Sequence, residues 1–198
     1  MFVYEKKLQY PIRIKNTNPK LAAAIISQYG GPDGELGASL RYLSQRYSMP
    51  YPELKGLLTD IGTEELGHLE MVGTIVHQLT RNLTEQQIKD AGFEAYFVDH
   101  TTGVFPQFAS GYPWSAATMQ VTGDTIADLT EDLAAEQKAR VNYDNILRLS
   151  DDPDVTDAIR FLRAREIVHF QRFGEGLRLV KDRLGEKNVY YMNPSFDQ

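Results

Sequence analysis

Two glutamates and a histidine recur with identical spacing in the two halves of the sequence. In each half a first glutamate is followed thirty residues later by a second, which begins a Glu-x-x-His motif. The six residues are Glu35, Glu65, His68, Glu136, Glu166 and His169. A lone Glu-x-x-His motif is weak evidence for a site. Two copies, each with the same upstream glutamate, are a specific signal for a shared chemical function.

A proline-containing break lies midway between the two glutamates of each half. The first break is Met49–Pro52 and the second is Ser150–Pro153. Proline stops a preceding helix and fits the first turn of the next one. If each break joins two antiparallel helices, the paired glutamates lie at equal height, and residues at i and i+3 share a helix face. Two such hairpins would gather four carboxylates and two imidazoles at one level, which is the donor set of a metal site.

The donor types narrow the choice of metal. Oxygen and nitrogen ligands without sulfur favour manganese or iron over zinc or copper. Four buried carboxylates are costly without compensating positive charge, and two divalent cations would supply that charge. Ferritin-like carboxylate proteins use the same set, a glutamate from each of two helices and a Glu-x-x-His motif from each of the other two.

Three neighbouring residues are candidates for supporting roles. Tyr42 and Tyr143 each follow the first glutamate of their half by seven residues, which places them two turns away on the same face. They could be core aromatic residues, but we expect at least one of them to hydrogen-bond a ligand carboxylate. Glu64 stands four residues before His68, but its counterpart in the repeat is Arg165. Glu64 is therefore predicted to have a structural role or to support a ligand, rather than to belong to the repeated ligand set.

Four long helices, paired into two hairpins, would position these residues. We predict an all-α fold, a ferritin-like four-helix bundle of two helical hairpins joined by a long crossover, with residues 1–198 as a single domain. The predicted segments are an N-terminal arm (1–17), a first hairpin (18–79), a crossover with a short helix (80–123), a second hairpin (124–185) and a C-terminal tail (186–198).

Capping residues predict the ends of the helices. Asn18 before Pro19 begins the first helix, Thr84 with Gln87 forms a capping box, and Asp124 begins the third long helix. The predicted helices span 19–47 with a break at 30–34, 52–79, 84–92, 124–149 and 153–184. Gly185 would end the last of them, and residues 94–122 are expected to be irregular.

Composition excludes several classes of protein. The chain has 198 residues, 42% of them hydrophobic, which is enough to bury a substantial core. The absence of cysteine excludes disulfides, zinc–thiolate sites and thiol nucleophiles. The net charge of −6 argues against nucleic acid as a partner. No leader pattern opens the chain and no apolar stretch is long enough to span a membrane, so we expect a protein that stays in the cytoplasm after synthesis.

Four segments around the repeated residues resemble the manganese catalases. They are Tyr29–Leu36, Thr59–His68, Ala134–Arg140 and Arg165–His169. The opening Val3–Pro11 and the short chain are similar to the spore-coat branch of that family, the coat protein JC type. The resemblance implies a ferritin-like bundle, a centre of two manganese ions, disproportionation of hydrogen peroxide and a homo-oligomer, usually a hexamer. It also implies spore-coat proteins as partners and the spore coat as a location.

The same resemblance implies a role for each residue of the repeat. The expected metal ligands are Glu35, Glu65, His68, Glu136 and His169. Glu65 would bridge the two ions, whereas Glu166 would remain outside the coordination sphere and handle protons. Tyr42 would hydrogen-bond Glu35. Two departures stand out: Ala135 occupies a position where some members carry arginine, and the long C-terminal extension of the larger enzymes is absent.

Two other classes of function use the same features. A di-iron ferroxidase or oxidase would need nearly the same ligands, with two iron ions in place of manganese. A non-enzymatic spore-coat protein would use the tail and the crossover for assembly. Metal analysis combined with measurement of oxygen evolution from peroxide distinguishes the three.

Overall fold

The computed structural model describes residues 5–187 of the chain, and within that range the fold is helical. Seven α-helices and one 3-10 helix are present: α1 (Pro19–Gly30), α2 (Glu35–Gln45), α3 (Pro52–Thr80), α4 (Glu85–Ala91), α5 (Glu94–His100), the 3-10 turn (Ala116–Thr118), α6 (Thr125–Leu149) and α7 (Pro153–Lys187). One isolated antiparallel bridge joins Gln107 to Pro113. None of the helices between residues 5 and 187 has the length and hydropathy to cross a membrane.

The predicted helix starts are confirmed by their caps. The Asn18 side chain accepts a hydrogen bond from Leu21 N, with Pro19 at the first helical position. Asp124 caps α6 by accepting from Ala127 N. Thr84 and Gln87 form the predicted reciprocal capping box of α4, and Gly92 in the left-handed conformation caps its C-terminal end. Side-chain acceptors at these starts satisfy backbone N–H groups that the helix itself leaves unpaired.

The predicted secondary structure differs from the structure in one segment and at two helix ends. The segment after α4 is not wholly irregular, because Glu94–His100 forms α5 and Ala116–Thr118 forms a 3-10 turn. A seven-residue helix is too short to persist on propensity alone. Aromatic contacts stabilise α5: Tyr96 stacks on Phe93 and meets His100 edge-on, and His100 stacks on Phe105. The helix α2 ends at Gln45, before Tyr47, and α7 continues past Gly185 to Lys187. The predicted tail lies outside the described residues from position 188 onward.

The helices pair as two hairpins. Within the first hairpin α1 and α2 both pack against α3, and within the second α6 packs along α7. The hairpins meet through contacts of α3 with α7 and of α6 with α1 and α2. This arrangement brings the two Glu-x-x-His motifs, on α3 and α7, to the same contact between hairpins.

The glycine break between α1 and α2 accommodates another part of the chain. A Cβ atom on Gly30 would lie 2.4 Å from Pro106 C and from Gln107 N. The backbone of the crossover therefore packs directly on this break, at a distance that only glycine permits. The backbone that approaches here is this chain's own crossover, just before the helix that begins with Glu35.

Two apolar clusters lie on either side of the repeated residues. One contains residues that follow His68 on α3 and precede Glu166 on α7, among them Ile75 and Leu162. The other contains residues that precede Glu65 and follow His169, among them Ile61 and Phe173. Each fully buried aliphatic or aromatic side chain contributes about 1.5–3 kcal/mol. The polar layer is therefore held between two hydrophobic layers that offset the cost of burying it.

Candidate metal centre

The structure brings all six residues of the repeat together in the interior. They are supplied by four helices: Glu35 on α2, Glu65 and His68 on α3, Glu136 on α6, and Glu166 and His169 on α7. None of the six is more than 3% exposed. His77 and His100, which lack the motif, have no part in the cluster. Equal spacing around the two breaks thus places the glutamates at one level, as the sequence predicts.

Glu65 lies at the middle of the cluster. Its Oε2 is 2.8 Å from His68 Nδ1, and its Oε1 is 2.8 Å from His169 Nδ1. The imidazole rings are nearly parallel, with centroids 5.5 Å apart. One carboxylate therefore presents one oxygen to each histidine, an arrangement suited to a ligand shared by two ions.

The first glutamate of each half flanks the histidine of its own hairpin. Glu35 Oε2 lies 3.7 Å from His68 Nδ1, and Glu136 Oε2 lies 3.5 Å from His169 Nδ1. Each Nδ1 atom thus faces the shared Glu65 and a second carboxylate. The two halves of the cluster are similar in this respect, and each offers two carboxylates and one imidazole.

Glu166 does not repeat the geometry of Glu65. Ligand atoms of Glu65, His68, Glu166 and His169 all lie within 4.8 Å of one another. Nevertheless neither histidine makes an ion pair with Glu166 within 4.0 Å, whereas both do so with Glu65. Glu166 Oε1 is buried and has no hydrogen-bond partner. The second glutamate of each half therefore occupies the same place in the sequence repeat but has different contacts in the structure.

Each tyrosine hydroxyl bonds a glutamate of the other hairpin rather than the glutamate on its own helix. Tyr42 OH donates to Glu136 Oε1 at 2.5 Å, and Tyr143 OH donates to Glu35. The expected bond from Tyr42 to Glu35 was wrong. Seven residues separate Glu35 from Tyr42 by about 10.5 Å along the helix axis. A tyrosine side chain is too short to reach back over that distance. Its hydroxyl reaches across the bundle instead, so each tyrosine orients a carboxylate of the other half.

Two carboxyl groups of the cluster, Glu35 and Glu166, resist ionisation. Burial, followed by the charge of Glu65, raises the pKa of Glu35 to about 8. Burial and the charges of Glu136, Glu35 and Glu65 raise the pKa of Glu166 well above its usual range. Excess negative charge in a desolvated space accounts for both shifts.

Glu65 and His169 show the opposite tendency. Burial favours neutral Glu65, but the charges of His169 and His68 outweigh it and hold its pKa below the usual range. Burial likewise favours neutral His169, yet chiefly the charge of Glu65 raises its pKa to about 12. The cluster thus favours positive charge at the two positions beside Glu65.

The unsatisfied atoms of the cluster fit a pair of cations. Buried polar atoms without a hydrogen-bond partner include Glu65 Oε1, Glu136 Oε2, Glu166 Oε1 and His169 Nδ1. Such atoms are rare in folded proteins, and a bound ion is one of the explanations for them. Carboxylate oxygens with imidazole nitrogens suit manganese or iron. The residues present therefore fit a two-ion centre.

Asp132 was missed by reasoning from the sequence. It is fully buried on α6, one turn before Glu136, and neither of its carboxylate oxygens has a hydrogen-bond partner. Burial is the main reason why its pKa is raised well above the usual range. Its position four residues before Glu136 was the available signal. Its counterpart in the repeat is Gly31, so the comparison of the two halves did not reveal it.

The fold and the site together define a ferritin-like helical bundle with a buried carboxylate–histidine centre. A family model described as manganese containing catalase matches residues 1–192. The chain belongs to the manganese catalase family. The predicted all-α, ferritin-like fold and the family resemblance are both confirmed.

Three similar proteins illustrate the relationship. Protein CotJC of Bacillus subtilis is 51% identical over 190 residues, which cover 96% of this chain and all of that protein. A probable manganese catalase of Clostridium acetobutylicum is 37% identical over 191 residues, covering 95% of this chain and 84% of the other. The crystal structure of KatB, a manganese catalase from Anabaena, matches with a TM-score of 0.85 at 32% identity, covering 98% and 85%.

Proposed function

We propose that this protein is a dimanganese catalase that converts hydrogen peroxide into water and dioxygen. The observation that carries the proposal is the position of Glu65, with one oxygen 2.8 Å from the Nδ1 atom of each histidine. Membership of the manganese catalase family supports the choice of reaction. A soluble external electron donor is unnecessary, because peroxide serves as both oxidant and reductant.

The proposed ligands form two similar groups. Glu35 and His68 would hold one ion, Glu136 and His169 the other, and Glu65 would bridge them. When bound, two manganese ions supply two-electron cycling between Mn(II)2 and Mn(III)2 states, so that two molecules of hydrogen peroxide yield two of water and one of dioxygen. Tyr42 and Tyr143 fix the orientation of the terminal carboxylates across the bundle.

Glu166 is proposed as the group that moves protons. Its Oε1 is buried and has no hydrogen-bond partner, and Glu166 makes no ion pair within 4.0 Å with either histidine, whereas Glu65 makes one with each. A carboxylate in that position can take a proton from peroxide and return it to the departing oxygen. The surrounding apolar layers exclude bulk water, which keeps those protons within the site.

The test combines metal analysis with an oxygen electrode. Protein isolated from its natural source is expected to contain close to two manganese ions per chain and to release one dioxygen for every two peroxides consumed. Two iron ions, with oxygen uptake in place of oxygen release, would favour a ferroxidase or oxidase. Bound manganese without oxygen release would overturn the catalase assignment and favour a structural role.

We propose further that the protein assembles and is located as the family resemblance implies. The 51% identity to CotJC over that protein's whole length supports a place in the spore coat with other coat proteins as partners. A homohexamer is the proposed assembly, with residues 1–198 of each chain forming one domain. Light scattering of the purified protein measures the oligomer, and fractionation of spores measures the location.

A further inference from the structure

We infer that Glu64 is a positioning residue that orients both histidines of the metal centre, from the side of the imidazoles that faces away from Glu65. The inference rests on the proposed metal centre, but it does not depend on catalase activity. A single carboxylate, placed on the opposite side of the imidazoles from Glu65, would set the orientation of both rings. Glu64 would thus determine which nitrogen of each histidine is free to bind metal.

The distances place each imidazole between two carboxylates. Glu64 Oε2 lies 3.2 Å from His169 Nε2, within hydrogen-bonding geometry, and Glu64 Oε1 lies 3.5 Å from His68 Nε2. The Nδ1 atoms of both rings face Glu65 at 2.8 Å. A neutral imidazole carries one N–H, so a carboxylate at Nε2 keeps that proton there and leaves the Nδ1 lone pair for a metal.

The two histidines are held unequally by Glu64. His169 Nε2 makes a hydrogen bond to it, whereas His68 Nε2 lies close but has no hydrogen-bond partner of good geometry. Both nitrogens nevertheless face the same carboxylate and are fully buried. The ion held by His169 should therefore depend more strongly on Glu64.

Two side chains immobilise Glu64 itself. Arg165 Nε donates to Oε1 at 2.8 Å and Arg165 Nη2 donates to Oε2 at 3.2 Å, the paired geometry that fixes a carboxylate plane. Gln9 Nε2 donates to Oε1 at 2.7 Å. These bonds join α3, α7 and the N-terminal arm at one point. The Glu64 side chain is 18% exposed, so the arm covers it from solvent only in part.

The N-terminal arm, which carries Gln9, is hydrogen-bonded to both α3 and α7. Tyr10 OH donates to Asp157 Oδ2 on α7 at 2.6 Å, and Ile14 N donates to Gln78 Oε1 on α3 at 2.7 Å. The arm therefore supports the carboxylate whose other face contacts the histidines.

The repeat explains why one carboxylate serves two histidines. Glu64 immediately precedes Glu65, and Arg165 immediately precedes Glu166. A second glutamate at position 165 would place two like charges together between α3 and α7. Arginine there instead forms an ion pair across the two hairpins, and Glu64 is left to contact both imidazoles. An ordinary surface ion pair would lack those two buried partners.

Manganese affinity tests the inference without peroxide. Glu64→Gln is expected to weaken manganese binding about 10–100-fold, measured by competition with a chelator, because loss of such a supporting carboxylate reduces affinity by that factor. The melting temperature of the metal-free variant should stay close to that of the parent. Asp60→Asn is the matched control, since Asp60 pairs with Arg172 at 3.3 Å between the same two helices without contacting a histidine.

Arg165→Met provides a second, independent variant. It leaves Glu64 in place but removes the residue that immobilises it, so affinity should fall in the same direction. The double variant should lose less than the product of the two single losses, because both act through one carboxylate. Independent, multiplicative losses would contradict that shared action.

The outcomes separate this inference from the proposed function. Unchanged manganese affinity in Glu64→Gln, with a parent protein that binds two ions, would overturn the positioning role alone. An equal loss in Asp60→Asn, or a matching fall in the melting temperature of metal-free Glu64→Gln, would reduce Glu64 to a structural contact and overturn it as well. A parent protein that binds neither manganese nor iron would overturn both proposals.

Discussion

At the scale of single residues, Glu65 and Glu166 occupy equivalent positions in the repeat but differ in their surroundings. Glu65 has an imidazole at 2.8 Å from each oxygen, and its pKa lies below the usual range although burial opposes this. Glu166 has no such partner, and its pKa is raised by burial and by neighbouring carboxylates. Two carboxyl groups whose environments push their pKa values apart are suited to different roles.

Glu166→Gln is expected to retain both metal ions and to lose most of its turnover. The amide keeps the size of the side chain but cannot accept a proton at Oε1, and loss of general acid–base catalysis typically costs 10²–10⁴-fold. Metal analysis and oxygen release on the same sample provide the measurement. Glu175→Gln, an exposed position on the same helix, is the control. Loss of metal from Glu166→Gln would instead identify Glu166 as a ligand.

Tyr42→Phe is expected to lower the free energy of unfolding of the metal-free protein by about 1–3 kcal/mol, because the buried Glu136 carboxylate loses its hydrogen bond. Denaturant titration measures the change, with Tyr47→Phe as an exposed control. A double-mutant cycle locates the partner: Tyr42→Phe should couple to Glu136→Gln and not to Glu35→Gln. Coupling to Glu35 would show that the hydroxyl bonds within its own hairpin.

At the scale of the elements, the break between α1 and α2 positions Glu35 at the first residue of a helix. Gly30 meets the crossover backbone, and Gly31 N donates to Ser27 O, which closes the last turn of α1. Glu35 then lies in the first turn of α2, where a helix dipole favours negative charge. The crossover is thus part of the support for this carboxylate and not only a connection.

Gly30→Ala is expected to destabilise the protein by about 1–3 kcal/mol, since the new methyl group would overlap the backbone of Pro106 and Gln107 at 2.4 Å. Gly56→Ala is the matched control, because a Cβ there meets nothing within 4 Å on the exposed face of α3. That substitution should stabilise by about 0.5–1 kcal/mol through helix propensity. Denaturant midpoints of both variants provide the measurement. Equal effects would show that the crossover moves aside readily.

At the scale of the whole molecule, the centre forms a polar layer between two apolar ones. The hydrophobic clusters on either side bury side chains from both hairpins. Their contribution holds four carboxylates at distances at which mutual repulsion would otherwise separate the helices. Metal binding should therefore be coupled to the stability of the entire bundle.

The metal-free protein is expected to lose stability between about pH 6.5 and pH 8. The pKa of Glu35 is about 8 in the folded protein against an ordinary 4.5, so its stabilising protonation is lost as pH rises through 8. The pKa of His169 is about 12 against 6.5, and its contribution declines from about pH 6.5 upward. The lowered pKa of Glu65 adds a contribution that is already complete above pH 4.5.

Manganese should remove this pH dependence, because cations replace the protons that neutralise the cluster. Denaturant unfolding of chelator-treated protein at pH 6.5 and pH 8, each with and without manganese, measures the effect. The metal-free midpoint should fall with pH, whereas the loaded midpoint should stay level or rise. A metal-free protein that is equally or more stable at pH 8 would contradict the assigned pKa shifts.

Much of the fold was predictable because its signals are local. Asn18, Thr84 and Asp124 cap helices through their own neighbours, and prolines mark the two turns. The helix α5 was not predictable, because its seven residues depend on stacking against Phe105, which lies beyond the helix in the crossover. Asp132 was missed for a related reason: only packing shows that an acid one turn before Glu136 is buried.

The sequence by itself determined which six residues would meet. Helix periodicity and equal distances from the two breaks place Glu35, Glu65 and their counterparts at one height whatever the details of packing. Only the tertiary structure decided how they are used. Tyr42 bonds Glu136 rather than Glu35, and Glu64 contacts both histidines. These contacts depend on which side chains of one hairpin face which side chains of the other. The spacing of residues along the sequence does not specify the distances between the two hairpins.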